Sequence, residues 1–283
     1  MLNIFLKIGN RSVTLGHKCT YRIVSTEGLE AGDYRLLLSE NALLDGARVD
    51  GFRTLPRTVK LVFDVVCDDP NGVHRASLLS FFHPASEGVM TVTRNSCRRQ
   101  IGCRVSALSF RQQTAYQPLR VSVTLLCPDP FFTDAEDKTA SIDTSAPLLF
   151  FPLTSLKGFG VSAGAAARSY DIVIDNTGDL PIGVRAVFTV RNGMTGSVQN
   201  PGIVCGGEGV KLLDTLTAGD EAVISTCPGS KKILKNGENS YLFSRTSIFF
   251  EIPAGKSTVT FTADSGKTLL SGTVSYRCRY LGI

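Results

Sequence analysis

The sequence predicts a mainly β protein whose first domain is α+β, and three observations predict it. Short runs of Val, Ile, Thr and Phe alternate with polar residues and are divided by Gly-rich turns. A single helical pattern interrupts them, between residues 69 and 84. Beyond residue 147 strand signals recur at short intervals with no further helical period, the spacing of a sandwich. A chain of 283 residues, 43% hydrophobic and 19% charged, is globular in composition and long enough for two domains of ordinary size.

The opening run MLNIFLKIGN has its apolar residues interrupted by Asn3 and Lys7 and lacks the basic-then-apolar order of a secretory signal, so it reads as a strand from Leu2 to Ile8. Further strands are expected at Tyr21 to Ser25, Val59 to Cys67, Val89 to Arg94, Cys103 to Phe110 and Leu119 to Cys127. In DDPNGVHRASLLSFFHP, Asp69 is placed to cap a helix with Pro70 in its first turn. Leu78/Phe81, Leu78/Phe82 and Leu79/Phe82 fall at helical spacing, and Pro84 closes the element.

Val121, Val123, Leu125 and Cys127 alternate with Ser122 and Thr124, which is the period of a half-buried strand. Pro128 and Pro130 end it, because neither can donate a ladder hydrogen bond. Residues 134 to 146, DAEDKTASIDTSA, are polar and acidic and read as a linker. It divides a first domain, 1–133, from a second, 147–283.

In the second domain strands are expected at Tyr170 to Asp175, Gly183 to Arg191, Ala222 to Thr226, Lys231 to Leu234, Ser247 to Ile252, Ser257 to Ala263 and Gly272 to Tyr280. Asn236-Gly237 is a two-residue hairpin signal, since both central positions of that turn favour positive φ. Val274, Tyr276, Cys278 and Tyr280 share one face of the last strand, the core face.

The chemistry-bearing residues are few. His17, His74 and His83 lie at no metal-ligand spacing, and P-loop and Gly-x-Gly-x-x-Gly signatures are absent, so the chain reads as neither an enzyme nor a holder of metal or cofactor. The eight cysteines, at 19, 67, 97, 103, 127, 205, 227 and 278, form no Cys-x-x-Cys pair and read as reduced thiols, several of which, such as Cys67 and Cys127, sit at apolar strand positions as small hydrophobes; disulfides, which an even count permits, are the alternative. Pro147 to Leu153 is too short to span a bilayer, and no membrane insertion is expected. The net charge of +5 is too mild to draw the chain onto nucleic acid.

One stretch is strongly one-sided: Arg94 to Arg120 holds six arginines, Arg94, Arg98, Arg99, Arg104, Arg111 and Arg120, and no acid. It suits a surface facing polyanion, an intersubunit ion-pair donor or a solvated flank. Phe159, Tyr170, Tyr241 and Phe243 are candidates for a saccharide platform, although aromatics at strand positions are usually core.

The strand ending in Cys127-Pro128-Asp129-Pro130-Phe131-Phe132 resembles the end of the first domain in distal tail proteins of long, non-contractile-tailed bacteriophages. Leu55-Pro56-Arg57 before TVKLVFDVV resembles that family's approach strand, and ASLLSFF followed by a hairpin its insertion. Asp175-Asn176-Thr177-Gly178-Asp179, Ala218-Gly219-Asp220, Asn236-Gly237 and Ile252-Pro253-Ala254-Gly255 stand in the order of the turns in its second domain. The eight cysteines and the segment Gly164 to Ala167 depart from the family's pattern.

The resemblance implies a split-barrel-like first domain and a galectin-like sandwich. It implies a homo-hexameric ring between the tail tube protein and the tail-associated hub, receptor-binding or baseplate proteins, with a hole through which DNA passes in transit. Assembly in the host cytoplasm and residence at the virion tail tip follow, with a carbohydrate-binding module for host recognition as the alternative. In such a ring Arg98 and Arg99, with Arg94 and Arg104, would face the lumen or the next subunit, and Phe131 and Phe132 would pack back beneath the first domain.

Overall fold

The computed structural model describes residues 2–40, 45–66, 72–84, 86–112, 117–147, 164–191 and 196–283. The chain forms two compact units, Met1–Ala135 with Arg279–Ile283, and Glu136–Cys278. The second is thus inserted in the first, with the chain crossing between them twice.

Unit 1 comprises β1 (Leu2–Ile8), β2 (Arg11–Gly16), β3 (Tyr21–Glu27), β4 (Tyr34–Glu40), β5 (Ala47–Thr54), β6 (Arg57–Val65), α1 (Val73–Phe81), β7 (Glu87–Arg94), β8 (Cys97–Arg111), β9 (Leu119–Cys127) and β10 (Phe132–Asp134). The order β8-β7-β1-β2-β3-β6-β9 returns to β8 by a further β8–β9 pairing, closing a seven-stranded barrel. Closure removes the sheet edges that would otherwise invite other chains. Alternation decides what fills it: Ile4, Leu6, Leu15, Val59, Leu61, Phe63, Met90, Val92, Val121, Val123 and Leu125 are buried, while Lys7, Lys60 and Leu126 between them face outward.

The helix α1 begins after Gly72, whose φ of 64° is left-handed, while the expected cap Asp69 and first-turn Pro70 lie outside the described residues. Leu78, Phe81 and Phe82 are buried and Leu79 is exposed. Phe82 meets the Phe63 ring of β6 at 6.5 Å, and Arg11 donates from β2 to Ser80 Oγ and O at 2.8 and 2.9 Å.

Unit 2 runs through β11 (Lys138–Ser141), β12 (Asp143–Pro147), β13 (Gly164–Arg168), β14 (Asp171–Asn176), β15 (Val184–Val190), β16 (Val198–Gln199), β17 (Gly202–Cys205) and β18 (Glu208–Lys211). It continues with β19 (Thr215–Leu216), β20 (Glu221–Ser225), β21 (Lys232–Lys235), β22 (Glu238–Asn239), β23 (Gly255–Thr262) and β24 (Leu270–Tyr276); β25 (Arg279–Tyr280) returns to unit 1. A six-stranded sheet, β11-β24-β15-β20-β21-β22, and a four-stranded one, β14-β23-β17-β18, contribute inward side chains to one apolar core. At its centre Phe188 and Phe261 meet edge to face at 5.1 Å. Gly272 stands opposite Phe188 in the ladder, and a Cβ there would lie 2.4 Å from Phe261 Cε1.

The turns that punctuate unit 2 are joined in pairs. Asn176, buried, donates from Nδ2 to the carbonyls of Leu180 (2.9 Å), Ile252 (3.3 Å) and Pro253 (3.2 Å), and its Oδ1 accepts from Gly178 N–H at 3.0 Å. Asn236 and Gly237 take the expected positive φ, 52° and 85°, and Asn236 Nδ2 donates to Asp220 Oδ1 at 2.9 Å. With the Thr217 amide and hydroxyl also donating, Asp220 is held down at a pKa of about 2.

Three expectations require correction. Residues 134–146 are not a free linker: Lys138–Ser141 pairs with β24, and Ile142 is buried because it takes the inward position of that polar stretch. Ser247 to Ile252 forms no strand; its amides are met singly, Ile248 by Gly209 O at 2.8 Å and Ile252 by Ile182 O at 2.7 Å. The run Gly272 to Tyr280 is broken after Tyr276, and Arg279–Tyr280 pairs instead with β10.

Candidate assembly site

The first candidate region gathers around residues 279–283, on unit 1. β25 pairs with β10, Phe132 opposite Tyr280, and β10 in turn pairs with β8, Asp134 opposite Arg99. Below them lies Arg57, only 2% exposed. It stands at an inward position of β6, where Val59 and Leu61 are apolar, so its charge has to be met inside.

Four backbone carbonyls meet it. Nε donates to Pro130 O at 2.8 Å, Nη1 to Gly28 O at 2.9 Å and Glu30 O at 2.7 Å, and Nη2 to Leu281 O. The guanidinium also lies over the Phe132 ring, 5.0 Å from its centroid. Burial pushes its pKa below the ordinary arginine value, yet a guanidinium stays charged in proteins. One side chain therefore ties the 28–30 loop, the Pro130 corner and the returning chain to the barrel.

Other side chains fasten the same segment. Arg99 lies over Tyr280, 3.6 Å from the ring centroid, and donates to Gly282 O. Tyr280 OH donates to Asp134 Oδ1 at 3.0 Å, and Arg279 Nη2 donates to both carboxylate oxygens of Asp129, at 3.0 and 3.1 Å. A Cβ on Gly282 would stand 2.2 Å from Glu30 O, so only glycine fits there.

The arginines singled out in the sequence divide accordingly. Arg94 reaches Ile283 O at 3.4 Å, Arg99 holds Tyr280 and Gly282, and Arg104 pairs with Glu87. Arg120 is bidentate to Asp64 at 2.8 and 2.9 Å, while Arg98 and Arg111 are exposed. Arg98 and Arg99, as successive residues of a strand, point to opposite faces.

Of the junction residues, Cys127 and Phe132 are fully buried, Pro128 and Asp129 exposed, and Pro130 and Phe131 half-buried. The Phe131 ring packs under Arg279 at 4.6 Å. Among the saccharide-platform candidates, Phe159 lies outside the described residues and Tyr170 packs against the sandwich core beneath Lys267 at 4.5 Å. Tyr241 is 82% exposed, and Phe243 meets Phe249 edge to face at 6.4 Å.

The seven described cysteines are in no disulfide, and Cys278 Sγ accepts from Lys138 Nζ at 3.3 Å. Burial raises Cys103 to a pKa of about 12 and Cys127 to about 11, so neither forms thiolate near neutrality. Alkylation of the native protein at pH 8 is expected to spare both, and peptide mass mapping checks it. Rapid labelling of Cys127 without unfolding would contradict the packed junction.

Two features of unit 1 were not evident in the sequence. The clamp role of Arg57 had a signal, a charged residue at the inward phase of an otherwise apolar alternation. The hairpin of β4 and β5 had a weaker one, because Leu36-Leu37-Leu38 shows no alternation of its own.

Residues 182–280 match the family model described as siphovirus-type tail component, C-terminal domain, of the SPP1 Dit type. Among solved structures, the fold is similar to that of the SPP1 Dit protein, described as a paradigm of the hub adsorption apparatus in phages infecting Gram-positive hosts. The TM-score is 0.67 at 12% identity, over 98% of each chain. A chain of the phage P2 baseplate in its activated, calcium-bound conformation matches with a TM-score of 0.50 at 6% identity, again over 98% of both. No curated protein matches by sequence.

Proposed function

We propose, on the premise of the match between residues 182–280 and the SPP1 Dit model of siphovirus-type tail components, that the chain is a ring-forming distal tail protein. Six copies join head to tail through the domain of residues 1–133, at the end of the tail tube. The sandwich domain serves the hub, receptor-binding or baseplate proteins. The protein works as a structural connector and not as a catalyst.

The family match in the second unit is the observation that carries this reading; the barrel fold of the first unit, shared with the SPP1 Dit protein, supports it. Electrostatics agree with a channel for DNA in transit. A ring that bound DNA tightly would hold the genome back, and affinity for phosphates grows with each unpaired cation presented. Here Arg99, Arg104 and Arg120 are spent within the chain, and the net charge is only +5.

Immunogold labelling of virions that carry this chain tests the assignment. Gold is expected at the tail end far from the capsid. Labelling along the whole tail, or on no virion, would overturn it.

A further inference from the structure

We propose that the hairpin of β4 and β5 is an arm that seats its apolar face on a second copy of this chain, an inference that rests on the ring reading above. Among the described residues the two strands pair only with each other. Every residue of β4 is exposed, and β5 is nearly so. A lone two-stranded ribbon is marginal in water and calls for a covering surface.

One of its faces is apolar and the other mixed. Leu36 stands opposite Phe52, and Leu38 opposite Val49, because the irregularity between Leu37 and Leu38 resets the alternation. With Tyr34 these form one face, and they are 43% (Tyr34), 55% (Leu36), 56% (Leu38), 56% (Val49) and 71% (Phe52) exposed. The opposite face presents Arg35 against Arg53 and Ser39 against Arg48, with Leu37, 52% exposed, between them opposite Gly51.

The apolar face carries no cation for phosphate, which argues against DNA as its occupant. With about 150–250 Å² for each of the two aromatic side chains and somewhat less for the leucines and the valine, the five residues expose roughly 400–500 Å² of apolar surface. That is half or more of the roughly 800 Å² that one partner contributes to a stable interface, and it lies at the upper end of what a monomer leaves bare. A closed head-to-tail ring needs two different surfaces on each subunit, one gripping and one receiving. The arm supplies the gripping one.

The test uses the full-length protein with Leu36→Lys and Phe52→Glu combined, and Arg53→Gln on the other face as control. Native mass spectrometry should give the same closed assembly for the parent and the control, and a monomer for the double variant with unchanged circular dichroism. Amide exchange in residues 34–40 and 47–54 should rise at least tenfold in the double variant.

A double variant that keeps the parent's assembly overturns the arm proposal while leaving the ring reading intact. A parent protein that stays monomeric overturns both. Slow exchange in the arm of a monomer, or protection gained only when another tail protein is added, also overturns it.

Discussion

Replacing Arg57 with methionine is expected to destabilise unit 1 by about 3–5 kcal/mol, on the scale measured when one partner of a buried charged contact is removed. The methionine fills much of the arginine's volume and leaves the carbonyls of Gly28, Glu30, Pro130 and Leu281 without their donor. The barrel's melting transition should fall by roughly 10 °C or more, read by calorimetry as the transition of this unit. Arg57→Lys should recover only part of the loss, because an ammonium cannot present a rigid fork to four acceptors. The variant should also make residues 279–283 the first site of proteolysis. A melting point within two or three degrees of the parent would mean that the clamp is ornamental.

The second large effect belongs to the sandwich. Phe261→Ala removes a fully buried ring that spans from the four-stranded sheet to Phe188 in the six-stranded one, in a space kept open by Gly272. Phenylalanine-to-alanine changes in cores cost about 3–5 kcal/mol, and the unit 2 transition is expected to fall by roughly 10 °C while that of unit 1 is unchanged. Gly272→Val should act in the same direction, since its side chain would enter the space of the Phe261 ring. Movement of both transitions together would contradict two separate cores.

Much of this architecture was legible in the residues. β1 and β9 have the expected bounds because alternation and flanking breakers agree there, Pro128 and Pro130 closing β9. The ordered turn motifs of the second domain prove to be physically coupled. Asn176 binds the Asp175–Asp179 turn to Ile252 and Pro253, and Asp220 binds the Ala218–Asp220 turn to Asn236. Four weak local signals are thus two long-range contacts, which is why their order carried information.

What escaped the sequence was determined over long distance. Nothing local shows that Tyr280 leaves the sheet of Tyr276 to pair with Phe132, or that Arg99 is spent in holding it. Nor does any local pattern disclose that Arg57 takes Leu281 as a partner 224 residues away. The acidic stretch 134–146 misled because edge strands tolerate polar residues, and Ala140 and Ile142 supply its contacts with the core.

The central claim is that this chain acts by closing on copies of itself around a hole. Native mass spectrometry of the purified full-length protein, with negative-stain images of the same sample, tests it most directly. The account predicts a particle of six times the 30.4 kDa chain mass, seen end-on as a ring with a central opening. A monomer at high concentration that stays monomeric when tail partners are added would contradict it.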